Sequence, residues 1–467
     1  MAGWTIVLDV GKTLSKATLW DESGHCAAQR SRVNQRLESG GSLTLDIAGI
    51  ERWLVGVLTK FAALGPVSAI VPVAHGAGVA LIRNGRLQCA PLDYEWAGVA
   101  ADRAAYDRQR DSFVLSGSPP LPAGLNLGIQ LHWLESQQSS DFRTGQIVPW
   151  AQYWAWSLTG AAACELTSLG CHTDLWYPYD SVPSELAVRR GWAERLAPLR
   201  PAHAVLGTLT PDWVKTTGLS PCVEVYCGLH DSNAALLDAR SHVDIQGHDA
   251  TVLSTGTWFV AMRSPLRPDR SLVQTLPETR DCLVNVDVAG APVPSSRFMG
   301  GREIEILAGA VPPAAETAAA GDTRQAAAIN AIKAGEMILP GGVPDVGPFP
   351  SARRPAAATL TKDDPVPRAH LYAALLADVS LHLLGSCDTL LVEGRFSAAP
   401  VFVQALANLR PTMKILVSND ENGVARGALR LANPNCTAGP VLKRATPLPV
   451  DITDYRARWR EAAEHCA

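Results

Sequence analysis

The chain opens on a strand, a glycine-bearing turn and a second strand, and the same pattern restarts near its middle. Residues 4–20 read Trp4-Thr-Ile-Val-Leu-Asp9-Val-Gly11-Lys12-Thr13-Leu-Ser15-Lys16-Ala-Thr-Leu-Trp20. An apolar run ends in an acid, turns at a glycine among hydroxyl and basic side chains, and resumes as a second apolar run. Residues 249–262, Asp249-Ala-Thr-Val-Leu-Ser254-Thr255-Gly256-Thr257-Trp258-Phe-Val-Ala-Met262, repeat that order. Backbone N–H groups at such a turn can approach an anion the size of a phosphate. In the first turn Gly11 permits the approach, Lys12, Thr13 and Lys16 offer charge or hydroxyl donors, and Asp9 at the strand end suits a magnesium ion. One turn taken alone is more often a hairpin that holds no ligand.

A chain of 467 residues exceeds one compact core, and about 150 residues per domain predicts two or three units with a cleft between them. Hydrophobic residues at 47% and charged residues at 18% are those of a globular protein. The formal charge of −4 comes without a block of five like charges, which points to neither nucleic acid nor a membrane surface as partner. Any phosphate must therefore be met by local groups. The ten cysteines are scattered, with Cys222 and Cys227 the closest pair and no CxxC spacing, so they read as reduced thiols. The N-terminus runs straight into a strand without a signal-like segment, and no apolar run reaches about 18 residues. A cytoplasmic protein is expected.

Strand-like runs at 68–72 and 79–82 alternate with helical periodicity at 127–134 and 148–158, so the chain mixes α and β. The run 223–228 ends in Gly228-Leu-His230-Asp231 and leads into a helical Ser232 to Leu237, which puts a carboxylate at a strand-to-helix junction. The boundary between halves falls near residue 245. The Pro/Ala-rich span 311–320 and the Pro/Gly-rich span 340–358 read as loops. Thr389-Leu-Leu-Val-Glu393-Gly394-Arg395-Phe396-Ser397 is a strand and glycine turn before a helix at 400–409, a third backbone-amide pocket. A short strand at 415–417 is expected to have the Ala/Gly-lined helix 423–431 packed under it, and 451–465 reads as a capping helix.

In this order the motifs resemble those of the FGGY carbohydrate kinases, within the actin-like superfamily of sugar kinases, over nearly the whole chain. Asp9-Val-Gly11-Lys12-Thr13-Leu-Ser-Lys16 resembles the first phosphate motif, with Lys12 where a threonine is usual. Ala74-His75-Gly76 is similar to the methionine-histidine-glycine sugar segment of xylulokinase-type members. Gln152 to Gly160 with Glu165-Leu-Thr-Ser168, and Thr217-Gly218-Leu219, follow the family order. Gly228-Leu-His230-Asp231 resembles the catalytic aspartate segment in a form similar to that of rhamnulokinases. Ser254-Thr255-Gly256-Thr257-Trp258 resembles the second phosphate motif, and Phe298-Met299-Gly300-Gly301-Arg302-Glu303 the segment under the nucleotide. The adenosine motif departs from the family: Glu393-Gly394-Arg395 stands where two or three glycines are usual.

The resemblance implies an α/β protein of two actin-like (ribonuclease H-like) domains with an active-site cleft between them. Residues 1–245 would carry the sugar site, the first phosphate motif and the catalytic acid, and residues 246–467 the nucleotide. It implies ATP-dependent phosphorylation of a small sugar, either a ketose such as a pentulose or 6-deoxyhexulose or a related polyol. Phosphoryl transfer needs a base, a cation and donors to the transferring oxygens. Asp231 is the expected general base, with a helix N-cap as its plain alternative. Asp9, together with Asp231, would hold Mg2+. Gly11, Lys12, Thr13, Lys16, Thr255, Gly256, Thr257, Gly301, Gly394 and Arg395 would meet the nucleotide and its phosphates. Lys12 either stabilises transferring charge or points to solvent.

His75, Gly76, Asp93, Trp96 and His230 would line the sugar, although a lone His in an apolar setting is more often structural and His230 can equally be a packing residue. Asp93-Tyr-Glu-Trp96 departs from the family's tryptophan-x-aspartate-x-arginine pattern. Trp133, Trp154 and Trp156 read as core. A homodimer is a family-level expectation. The competing readings are a non-catalytic sugar or nucleotide sensor on the same fold, motivated by Lys12 and Glu393-Gly394-Arg395, and a phosphatase of the actin-like type. The His-Gly and His-Asp segments point to different sugars.

Overall fold

The computed structural model describes residues 3–137, 140–309, 318–353, 364–437 and 439–466. The chain divides into two compact units: Met1–Ala239 with Val284–Pro292 and Asn422–Gly439, and Arg240–Leu283 with Val293–Glu421 and Pro440–Ala467.

In the first unit the strand Trp4–Val10 is central. It pairs antiparallel with Leu14–Trp20, placing Asp9 opposite Lys16, and parallel with Val67–Ala74, placing Asp9 beside Val73. The sheet runs Val205–Thr208, Glu224–Tyr226, Val67–Ala74, Trp4–Val10, Leu14–Trp20, Cys26–Val33, and Leu229–His230 adds to the far end of Val67–Ala74. The two-residue period of the opening strand sorts its side chains. Ile6, Leu8 and Val10 join the apolar cluster containing the helices Ile47–Ala62 and Trp150–Thr159. Val7 faces the other way, into Ala234, Ala425, Ala428 and Leu429. Asp9 follows Val7 on that second face, at the strand's C-terminal end. Burial of each such aliphatic side chain stabilises by about 1.5–3 kcal/mol. Asp46 caps Ile47–Ala62 by accepting from the Gly49 amide at 2.8 Å, worth about 1 kcal/mol.

The second unit repeats this pairing logic. Ala250–Thr255 is antiparallel to Phe259–Ser264 and parallel to Thr389–Gly394, with Thr255 beside Gly394. Pro292–Phe298 flanks one side and Lys414–Val417 with Lys443–Arg444 the other. The helices Val366–Leu383 and Pro400–Leu409 pack on one another.

Three local expectations are corrected. Val148 and Pro149 belong to a strand, Gln146–Pro149, held against Val79–Arg83, and the helix begins only at Trp150. The helix Gly423–Ala432 lies in the first unit and not under residues 415–417. Gly427 sits so close to the Ala234 carbonyl that a Cβ would fall 1.8 Å from it, and Arg426 donates to the buried Asp238 at 3.0 Å. Small residues and one buried ion pair therefore choose its partner over chain proximity. Of the expected loop 311–320, residues 311–317 lie outside the described residues and 318–320 open the helix Ala318–Ala334. Of the span 340–358, residues 340–353 carry neither helix nor strand and 354–358 lie outside the described residues. The final helix runs Thr453–His465. No disulfide joins any of the ten cysteines, and among the described residues no helix is long and apolar enough to cross a membrane.

Candidate active site

Three parallel strands of the first unit end side by side, and each delivers a polar residue to its C-terminal end. Trp4–Val10 brings Asp9, Val67–Ala74 leads to His75, and Leu229–His230 leads to Asp231. Ligands of open α/β sheets bind at this edge. Gly228 makes the convergence possible: its φ is +75°, and a Cβ there would fall 2.0 Å from the Pro72 carbonyl. Gly76 is needed for the same reason, since a Cβ would fall 2.2 Å from Cys171 Sγ and 3.1 Å from the His230 ring.

Asp231 opens the helix Asp231–Arg240 with its side chain 30% exposed. Its Oδ1 accepts from the Ser232 amide at 2.6 Å and the Ser232 hydroxyl at 3.2 Å, and lies 3.2 Å from His230 Nε2. Oδ2 has no such partner among the described residues. Behind His230 stands a buried chain: its backbone N–H donates to Thr167 Oγ1 at 3.0 Å, and that hydroxyl donates to Glu165 Oε2 at 2.6 Å. Burial pushes the Glu165 carboxyl up to about 7, against the donors of Thr167 and Ser168. Burial likewise lowers the basicity of His230, with the Asp231 charge opposing. Asn233 completes the ring of contacts at His230 Nδ1, 3.1 Å away. The sequence alone does not mark Glu165, Thr167 and Asn233 as site residues. The strand-to-helix motif marked only the acid.

Asp9 is pushed up to about 7, first by burial and then by the charge of Asp231, with Lys16 opposing. A buried carboxyl raised in part by the charge of a second carboxylate suits a cation beside it. Magnesium takes one or two carboxylates together with substrate phosphates and water, so the donor chemistry of Asp9 and Asp231 fits it. Among the described residues no set of three His, Cys, Asp or Glu side chains gathers elsewhere as a metal centre.

His75 has both ring nitrogens shielded from solvent and without a hydrogen-bond partner among the described residues. Its ring meets Tyr94 edge-on at 5.3 Å and Trp150 at 6.4 Å. Burial is the main cause that drops its pKa to about 4, so at neutral pH it presents one donor and one acceptor. Asp93 is fully buried and sits 3.0 Å from Lys12 Nζ. Lys12 also pairs with Glu95 and lies 4.2 Å over the Tyr94 ring. Arg36 approaches Asp93 at 3.4 Å and Glu95 at 3.6 Å. Lys12 thus points neither into open solvent nor away from the chain. Trp96 packs edge-on against Trp133 at 4.8 Å in a satellite apolar cluster, which places it in packing. Trp154 is fully buried, and Trp133 and Trp156 are partly buried against the apolar clusters.

The glycine turns use part of their own donor capacity. The Gly11 amide donates to the Leu14 carbonyl at 3.1 Å, and the Gly256 amide to the Trp258 carbonyl at 2.9 Å. Thr13 and Thr257 are exposed at the turn tips. The Thr255 hydroxyl is spent inside the second unit, donating to the Glu393 carbonyl and accepting from the Phe396 amide at 3.0 Å. Gly394, at φ +82°, would put a Cβ 2.6 Å from the Thr255 carbonyl, and Gly301 one 2.1 Å from the Gly256 carbonyl. These close approaches bring Thr255, Gly256, Thr257, Gly301 and Gly394 together around one turn. Arg395 stacks near the Phe396 ring at 5.3 Å.

Residues 247–440 match the profile of the carbohydrate kinase FGGY C-terminal domain. The solved structure of a carbohydrate kinase from Novosphingobium aromaticivorans is 47% identical, with 99% of each chain covered and a TM-score of 0.92. A ligand-bound xylulose kinase and a gluconate kinase, both from Lactobacillus acidophilus, share the fold at 15% identity, covering 99% of this chain and 98% of theirs, with TM-scores of 0.79 and 0.80. No curated protein matches the chain. The fold is accordingly the mixed α/β fold of two actin-like domains. The chain belongs to the FGGY carbohydrate kinase family and is a carbohydrate kinase.

Proposed function

We propose that the enzyme transfers the γ-phosphoryl group of ATP to a hydroxyl of an uncharged small sugar, a ketose or related polyol, with Asp231 as general base. The observation that carries this reading is the division of labour within one carboxylate. Oδ1 of Asp231 is held by Ser232 and His230, which leaves Oδ2 to accept the sugar proton. As the sugar oxygen bonds to the γ-phosphorus, its proton passes to Oδ2 and the bond to the β-phosphate oxygen breaks, releasing ADP.

Asp9 would hold Mg2+, which when bound neutralises charge on the phosphates, while nearby Asp231 would add negative charge at the ion and keep Oδ2 for the sugar proton. The exposed tip at Thr13 would offer its amide and hydroxyl to the phosphates, and Lys16, opposite Asp9, would offer charge. The nucleotide is assigned to the second unit, where Gly301 and Gly394 keep the turn at Thr255 to Thr257 compact.

His75, with one unused donor and one unused acceptor, suits a sugar hydroxyl, which can accept from one nitrogen and donate to the other. The cations on this side are already matched: Lys12 and Arg36 stand against Asp93 and Glu95. A substrate carboxylate beside Asp93 and Glu95 would meet cations already matched by those two acids, which favours a neutral sugar. A coupled ADP-release screen of pentuloses, 6-deoxyhexuloses and polyols with Mg-ATP tests the reading. Turnover of at least one neutral sugar is expected, and nucleotide or sugar binding without any turnover would favour a sensor instead.

A further inference from the structure

We infer that Lys12, although it stands in the first phosphate turn, is a positioning residue of the sugar side. It fixes the segment Asp93-Tyr94-Glu95 that walls His75. This inference rests on the kinase reading above and concerns the one position of the turn that departs from the family pattern.

The geometry is one-sided. Only 9% of the Lys12 side chain is exposed, and its ammonium is engaged by three consecutive residues: it lies 3.0 Å from Asp93 Oδ1, pairs with Glu95, and sits 4.2 Å over the ring of Tyr94. The Asp93 side chain is completely buried. A buried carboxylate without a cation costs several kcal/mol, so Lys12 offsets a charge the segment could not otherwise bury. Arg36 is the second cation there, but it is 52% exposed and farther off, at 3.4 Å from Asp93.

The segment is also tied from within, since the Glu95 amide donates to Asp93 Oδ1 at 2.8 Å and the Asp93 amide donates to the Leu43 carbonyl at 2.8 Å. Tyr94 then passes the constraint on, with its ring meeting His75 edge-on at 5.3 Å. Because both nitrogens of His75 lack partners among the described residues, its ring is aimed by packing. The packing element on this side is the tyrosine under the Lys12 ammonium. A lysine already shared by two carboxylates and a ring has little charge left for a phosphate. Its effect should fall on sugar binding and not on the nucleotide.

The test compares Lys12→Met, Lys12→Arg, Glu95→Gln and the double variant Lys12→Met/Glu95→Gln. Sugar KM, ATP KM and kcat are measured with the best substrate of the neutral-sugar screen, and melting curves verify folding. Lys12→Met is expected to raise sugar KM about tenfold while ATP KM stays within about twofold, as for loss of one partly desolvated charge contact. Lys12→Arg should restore most of the sugar affinity, which a merely structural lesion would not do. The double variant should lose less than the product of the two single losses, because both remove the same ion pair. A rise in ATP KM or a fall in kcat at unchanged sugar KM would overturn the inference and return Lys12 to the phosphates. Should no sugar be turned over by the wild type, the kinase reading fails. Calorimetric sugar titration of the same variants without nucleotide then decides the Lys12 question separately, unchanged sugar affinity in Lys12→Met refuting it.

Discussion

The side-chain amide of Asn233 stands 3.1 Å from Nδ1 of His230, and this contact decides which face of the imidazole carries the proton. An amide N–H directed at Nδ1 makes that nitrogen the acceptor, so the ring proton sits on Nε2 and donates to Asp231 Oδ1, 3.2 Å away. The opposite tautomer would set a lone pair against a carboxylate. Asn233→Leu removes the amide and frees the tautomer. We expect kcat to fall about tenfold, a fraction of the 10²–10⁴ available to a positioned base, with sugar KM nearly unchanged in steady-state assays.

Glu165 is held in the fold with its carboxyl pushed up to about 7 from 4.5. A group with a raised folded pKa contributes its stability in full below the unfolded value and loses it as pH climbs through the folded one. The wild type should therefore lose stability between pH 4.5 and 7 on account of this residue. Glu165→Gln keeps an oxygen for Thr167 and Ser168 and has no charge to bury. It should melt higher than the wild type at pH 8, by no more than about 3 kcal/mol of stability, and the gap should close at pH 5. Melting curves at the two pH values check this.

Much of this site was legible in the sequence, for a physical reason. Asp9 and Asp231 each close an apolar run, and a strand that ends in an acid before a turn or helix shows its period and its stop in adjacent residues. The repeat at residues 250–264 was legible in the same way. The contacts made across the chain around the site were not. Lys12 and Asp93 are separated by 81 positions of chain and meet only because the sheet and the segment after it bring them together. Likewise Gly423–Ala432 shows its helical face in sequence but not its destination, which is set by Gly427 against Ala234 and by Asp238 against Arg426. At Val148 and Pro149 a local helical period yielded to tertiary pairing with Val79–Arg83.

Gly301 lies against the second glycine turn with no room for a methyl group, since a Cβ would fall 2.1 Å from the Gly256 carbonyl. Backbone cannot yield as a side-chain tip can. Gly301→Ala should displace the turn and raise ATP KM about tenfold, in keeping with about 1–3 kcal/mol for overpacking. Sugar affinity measured without nucleotide should be unchanged in the folded variant.

The matched charges around Asp93 and Glu95 bear on selectivity. Between a neutral ketose or polyol and an aldonate of equal chain length, kcat/KM should favour the neutral compound by about 100-fold, since an unpaired carboxylate would be desolvated without compensation. Competition assays with the two compounds measure the ratio directly.

The central claim is that Oδ2 of Asp231 takes the sugar proton, and the most direct measurement is sugar-dependent ADP release by Asp231→Ala. We expect turnover to fall by about 10²–10⁴, while the variant remains folded and still binds ATP and sugar in calorimetric titration. An Asp231→Ala enzyme that binds both substrates and turns over at a rate near the wild type would contradict the account.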